Sequence, residues 1–436
     1  MNSSRERDGH PLSVYQRPLF ELAEFAPARK AYAERFAFAI DGELNIDACR
    51  KALMELVENH EILRTRFTRK GNDVHQEVVE LGHAGSALNM IDLCDADPDA
   101  WVGRLNAEAS LPFDLAAGAP IRLCLYRIAA RRHILTVIFS HFILDAVGFS
   151  VLMREAARYY RQYALGQHPI GREERSQYAD YCDWERQRLG TPGLLSSSAH
   201  YWASVLSPPP PRLALNTSRR PVFKSYSGSS IAAEATRQSV LRTASELNAT
   251  RFAVLLSIFI QLLHLETGER DVVVGAPFGV RGHPDTMEMV GFFLNVLPIR
   301  VGITADMTIA ELIHAVSSRV GDARTHRHYP FESIVANSCK GFTLDRSPLF
   351  DVMFTLRDSH SGPWSSDGLS CKPIGLSAIA AKYDLTMYVR DMGTAFIIEA
   401  EYNSDLMDSM RAKLLLDRYV TLLNRLDAAA KVETHQ

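Results

Sequence analysis

Residues 120–128 (PIRLCLYRI) and 132–139 (RHILTVIF) are two apolar runs joined by the basic turn Ala129-Ala130-Arg131-Arg132. So short a link leaves no room for a crossover, and the runs are predicted to pair as an antiparallel hairpin. A hairpin this apolar needs a cover, and the sequence supplies one next. VGFSVLMREAARYYRQYA, at 147–164, has the period of an amphipathic helix. Between strand and helix lies FSHFILDAVGFS, 139–150, which carries an imidazole, His141, and a carboxylate, Asp145, four residues later. Two ionisable groups placed where a buried strand runs out invite a chemical reading.

The rest of the chain repeats the mixture. Residues 32–40, YAERFAFAI, alternate as a half-buried strand. Asp41-Gly42 turns the chain, and 45–60 is an amphipathic helix with Ile46, Cys49, Ala52, Leu53 and Leu56 on one face and Asn45 as its N-cap. LGQHPIGREERS, 165–176, is a polar connector, and Pro208 to Pro211 form a rigid extended break. The pattern then starts over, with a helix over 237–265, a buried strand at 271–276, a helix near 307–323, strands near 350–356 and 394–402, and a terminal helix over 408–430. At 436 residues the chain exceeds one ordinary core. The predicted fold class is α+β, with lobes at 1–172 and 173–436 meeting near 165–180. One segment of the second lobe, with 340–370 as the candidate, is expected to cross onto the first.

Composition excludes several classes of function. Net charge is -3, from 48 basic and 51 acidic residues, so no global field draws the chain to nucleic acid or anionic membrane. MNSSRERDGHPLS has no apolar stretch of the secretory kind, and no window approaches the roughly 18 apolar residues of a membrane span. The six cysteines (Cys49, Cys94, Cys124, Cys182, Cys339, Cys371) are scattered without a C-x-x-C pair, as reduced thiols in a cytoplasmic protein would be.

A Ser-His-Asp triad would need the Ser140 hydroxyl to reach the His141 ring. Neighbours at a strand end point to opposite faces, so the two are not expected to pair. Gly148-Phe149-Ser150-Val151-Leu152 lacks the second glycine of a nucleophile elbow, and there is no phosphate loop. His141 and Asp145 lack a third ligand, so no metal is assigned. What remains is a histidine acting as general base for attack of one bound substrate on another. By itself, H-x-x-x-D fits a buried histidine beside a helix-start aspartate at least as well.

The wider sequence changes that balance. SHFILDAVGFSVLMREAARYYRQY resembles the H-H-x-x-x-D-G motif of nonribosomal peptide synthetase condensation domains. HEILRTRF (60–67), PFDLAAGAPIRLCLYRI (112–128), YADYCDW (178–184), VGFFLNVLPIRV (290–301), YPFESIV (329–335) and RSPLFDVMFTL (346–356) look like that family's blocks, in the family's order. The resemblance runs from about Pro11 to about residue 425. It implies two chloramphenicol-acetyltransferase-like lobes in a V-shaped pseudo-dimer, with a central tunnel and a carrier protein docking at each mouth. A donor acyl group would arrive as a phosphopantetheine thioester on an acyl or peptidyl carrier protein, and an amine or alcohol acceptor would attack it. The chain would need no cofactor of its own and would work as a monomer. His141 matches the catalytic histidine, and Asp145 matches the aspartate that holds the loop by pairing with an arginine, here Arg281 in GAPFGVRGHPD.

This sequence departs from the motif at Ser140 (first histidine), Ala146 (glycine), Val147 (a common tryptophan) and Gly148 (serine). LSVYQRPLF keeps Leu12, Ser13 and Gln16 but has Pro18 where arginine is common. Ala146 keeps the backbone N–H that can face an oxyanion while narrowing the allowed dihedrals. No adenylation or carrier segment follows in the sequence, so the expectation is a free-standing condensation enzyme, or an excised one, of nonribosomal peptide or hybrid polyketide biosynthesis. It would form an amide or an ester. Two alternatives stand beside it: a catalytically silent condensation-like domain that recruits a partner, favoured by Ser140 and Ala146, and an acyltransferase using acyl-CoA. Arg64, Arg66, Arg69 and Lys70 are the candidate basic cluster for an acidic carrier.

Overall fold

The computed structural model describes residues 9–24, 29–80, 88–97, 99–118, 120–168, 175–215, 228–338, 347–358 and 368–432. Strand β1 (His10–Pro11) and helix α1 (Gln16–Glu24) precede β2 (Ala33–Asp41) and α2 (Ile46–Asn59). Helix α2 starts where predicted because the Asn45 side chain accepts the Ala48 N–H at 3.0 Å. A hairpin of β3 (Thr65–Lys70) and β4 (Asp73–Val78) follows, then β5 (Asn89–Asp92) and α3 (Ala100–Ser110). The predicted hairpin is β6 (Ile121–Ala129) and β7 (Arg132–Ser140), antiparallel as its short turn requires. Helices α4 (Ala146–Ala164) and α5 (Tyr178–Leu189) come next.

After α6 (Ser196–Val205) and β8 (Gly228–Thr236), the helix predicted over 237–265 is in fact two, α7 (Arg237–Glu246) and α8 (Arg251–Thr267), bent by 107°. Asn248 adopts a left-handed φ of 48°, and the Thr250 side chain accepts the Ala253 N–H at 3.1 Å to start a fresh helix. The chain continues through β9 (Asp271–Gly279), β10 (Leu294–Gly302), α9 (Ile309–Thr325), α10 (Phe331–Ser338), β11 (Val352–Asp358), β12 (Ser370–Ile374), β13 (Leu385–Asp391), β14 (Ala395–Asn403) and α11 (Ser409–Val432). Among the described residues no single helix is long and apolar enough to cross a membrane. The apolar middle of α8 is instead buried, from Ala253 to Ile260, in a protein core.

Two compact units result. The first comprises Met1–Pro192, Arg281–Phe293 and His360–Leu376; the second comprises Gly193–Val280, Leu294–Ser359 and Ser377–Gln436. They do not follow a single cut between 172 and 173, because α5 and two later segments belong with the first unit. Of the expected crossing segment 340–370, residues 340–346 and 359–367 lie outside the described residues. The strand that begins at its last residue, β12, pairs antiparallel with β2, Cys371 opposite Ile40.

The first unit holds a three-stranded sheet, β1-β4-β3, and a five-stranded one, β12-β2-β7-β6-β5. Helix α4 covers the larger sheet through Phe149, which stacks on Phe36 with ring centroids 4.0 Å apart and lies 5.7 Å from Phe139. The second unit is built on a six-stranded sheet, β10-β9-β11-β13-β14-β8. Its core joins α8 to α11, where the buried Tyr419 hydroxyl donates to the Leu255 carbonyl. Of the described cysteines only Cys94 is exposed, and none forms a disulfide.

Candidate active site

Strand β7 is buried from His133 to Ser140 and stays on its ladder as far as Ser140, opposite Ala33. His141 is the first residue of a 3₁₀ turn, His141–Ile143, and not a further strand residue. The separation of Ser140 from His141 therefore comes from the turn, which corrects the expectation of simple strand alternation. The turn forms because Phe142 drops between two aromatic rings, edge-on to Phe20 at 5.7 Å and to Phe67 at 4.8 Å. Gln16 fixes its backbone, donating from Nε2 to the Phe142 carbonyl at 3.0 Å. Ser140 is buried, whereas the His141 side chain keeps 20% of its surface exposed.

Asp145 ends the turn and begins α4. Its Oδ1 accepts the Gly148 N–H at 2.6 Å, an N-cap contact, and the Nη2 of Arg281 at 2.9 Å. Its Oδ2 accepts the Phe293 N–H at 3.1 Å, and its own N–H donates to the Gly291 carbonyl. The ion pair is buried, with side-chain exposures of 7% and 1%. Arg281 also donates from Nη1 to the carbonyls of Met289 and Thr286, and its guanidinium lies 4.0 Å from the centre of the Phe293 ring. A buried carboxylate is tolerated only when so many donors meet it. The structure thus brings His141, Asp145 and Arg281 together, with Asp145 tying the turn, the helix and segment 281–293 into one piece.

Gly148 is required by that close packing, since a Cβ there would meet the Gly291 carbonyl at 3.1 Å and the Leu144 side chain at 2.8 Å. Gly291 is likewise pressed against the Tyr178 ring, which occupies the space its Cβ would fill. Tyr178 closes the contact by donating to the Phe292 carbonyl. Ala146, the first residue of α4, has right-handed helical backbone, where alanine is favoured over glycine. Its N–H belongs to the helix's first turn and has no acceptor within the helix. Val147 is nearly half exposed.

Glu34 escaped the sequence reading. It stands at the start of β2, opposite Phe139, and its Oε1 lies 3.4 Å from His141 Nδ1. The signal was available: Glu34 alternates in step with Phe36, Phe38 and Ile40, a carboxylate on the inward face of a strand. Phe292 approaches the His141 ring edge-on at 5.5 Å. The N-terminal block is a clasp. The Val14 N–H and the Tyr181 hydroxyl both donate to Glu185, whose carboxyl burial pushes above its ordinary range.

Of the basic cluster expected for carrier docking, Arg66, Arg69 and Lys70 are exposed, and two of these three have acidic partners. Arg64 is buried and donates to the Val79 and Glu58 carbonyls, Arg66 pairs with Glu77, and Arg69 pairs with both Glu21 and Glu24. Alternating residues of a short hairpin find acidic neighbours that a linear reading of the sequence does not reveal.

The site is thus a histidine presented on a braced turn at a strand-to-helix junction, within an α+β fold of two units. The chain belongs to the condensation domain family, whose pattern matches residues 6–434. It is 32% identical over 430 residues to a linear gramicidin synthase protein of Brevibacillus parabrevis, covering 96% of this chain and 6% of that protein. It is 30% identical over 434 residues to surfactin synthase subunit 1 of Bacillus subtilis (strain 168), covering 99% and 12%. The chain therefore spans a small part of the curated relatives it matches. The fold matches the X-domain from teicoplanin biosynthesis, with a TM-score of 0.85, 22% identity and coverage of 98% and 97%. It also matches the condensation domain of the monacolin K polyketide synthase MokA, with a TM-score of 0.82, 22% identity and coverage of 95% and 96%. Members of this family typically form amide bonds from carrier-bound acyl groups.

Proposed function

We propose that this chain transfers an acyl group from a carrier protein's phosphopantetheine thioester to an amine or hydroxyl acceptor, giving an amide or ester. The observation that carries this reading is His141 on a turn immobilised by the buried Asp145–Arg281 pair. In the proposed step the acceptor attacks the thioester carbonyl while His141 takes its proton. The C–S bond then breaks, and the departing thiolate is protonated by the imidazolium. The Ala146 N–H, at the start of α4, is the proposed donor to the developing oxyanion. A cytoplasmic setting and action as a monomer are parts of the same proposal.

The test is intact-mass measurement of acyl-loaded carrier proteins incubated with the 436-residue chain and candidate acceptors. Release of free carrier thiol together with acylated acceptor is the expected result, and His141→Ala should lower turnover by about 10²–10⁴-fold with the fold unchanged. Turnover with acyl-CoA but not with loaded carrier would assign the donor to the CoA class. One observation favours a second reading. The X-domain fold that this chain matches was also solved in complex with OxyB, a match at TM-score 0.84, which makes recruitment of a partner enzyme the alternative. No transfer by wild-type protein with any loaded carrier, combined with stable capture of a tailoring enzyme, would favour it.

A further inference from the structure

We infer that Glu34 is a positioning residue that sets the tautomer of His141, holding the proton on Nδ1 so that Nε2 faces the reacting group. The inference rests on the proposed function above for its chemical consequence, but its physical basis is independent of it. The Glu34 carboxylate stands 3.4 Å from Nδ1, and both side chains are about four-fifths buried, with 19% and 20% exposed. That separation is ion-pair reach, a few tenths of an ångström longer than a hydrogen bond. The carboxylate is mounted on β2 opposite Phe139, two residues before the histidine on the paired strand, so it is held by a ladder and not by a loop. Phe292, edge-on at 5.5 Å, limits the ring from another side.

An ionised carboxylate has only acceptor sites, so the nitrogen turned toward it must carry a proton. That leaves the Nε2 lone pair as the base, opposite to the tautomer that imidazole prefers in water. When Nε2 takes the acceptor's proton, the resulting imidazolium stands beside a negative charge, which favours it. Asp145, the nearer carboxylate in sequence, is unsuited to this task because both its oxygens are committed to Arg281 and to the Gly148 and Phe293 N–H groups. Glu34 and Asp145 therefore divide the work, one setting the ring and the other the turn.

The test is ¹⁵N NMR of ring-labelled histidine in the full chain, with the His141 signals assigned by their absence in His141→Gln. In wild type the neutral ring should be mainly the Nδ1–H tautomer. Glu34→Ala should lower the ratio of Nδ1–H to Nε2–H by about tenfold, the equivalent of one charge-assisted hydrogen bond, while Glu34→Asp should retain part of it. If Glu34→Ala fails to fold, Glu34→Gln keeps the shape, loses the charge, and should move the ratio in the same direction. In the condensation assay kcat should fall roughly 10- to 100-fold for Glu34→Ala with KM for loaded carrier unchanged. An unchanged tautomer ratio in folded Glu34→Ala or Glu34→Gln would overturn the inference even if the wild type condenses. A shifted ratio in a chain that transfers no acyl group would uphold it and count against the proposed function instead.

Discussion

Asp145 is the residue through which most of the local order passes. It caps α4, pairs with Arg281 and accepts the Phe293 N–H. Asp145→Ala should destabilise the first unit by about 3–5 kcal/mol, because it strands a buried guanidinium as well as removing a cap. Chemical denaturation monitored by tryptophan fluorescence would measure it, and a loss below about 1 kcal/mol would show that the pair carries no structural weight. At this scale the sequence was partly legible. His141, Asp145 and Arg281 were reachable through a motif because their roles depend on residue type. Glu34 was legible only as a carboxylate on the inward face of a strand; its proximity to His141 arises across the β2–β7 ladder, which the sequence does not show. Tyr178 was visible only as part of a block, and its contact with Gly291 is a matter of shape.

Helix α4 is pinned at its middle as well as at its start, where Glu155 meets His60 at 2.7 Å and also pairs with Arg175. Burial alone would raise the Glu155 carboxyl, but His60 and Arg175 outweigh it and bring the value down to about 2 from the ordinary 4.5. A folded value below the unfolded one means that this contact contributes fully above about pH 4.5. The contribution, on the order of 3 kcal/mol, is lost as pH falls toward about 2. Glu155→Gln should therefore be less stable than wild type near about pH 6 and approach it near about pH 3. Urea denaturation at the two values would decide, and parallel losses in both proteins would assign the acid sensitivity elsewhere. Elements defined by local signals were read well from sequence: the β6–β7 hairpin by its turn, α2 by its cap. The α7–α8 break was missed because one residue, Asn248, decides it against an otherwise helical pattern, and β12 because a five-residue strand has meaning only beside β2.

The first unit is assembled from three separate stretches of chain. Residues 1–192 alone lack Arg281, the donor from Phe293 and the edge strand β12, so that fragment should show no sharp thermal transition by circular dichroism, whereas the full chain should. A cooperative transition in the fragment would mean that the later segments add little. Length and the restarting pattern gave two lobes. The interleaving was less legible, since nothing in the polar surroundings of β12 marks which sheet it joins. The order of synthesis gives this interleaving a further meaning. As the chain leaves the ribosome, β2 emerges early with one edge unpaired and Asp145 emerges without its cation. Asp145 must wait for residue 281, and the β2 edge for β12, which ends at residue 374. The unit begun first within this chain is thus not finished until most of the second has been made.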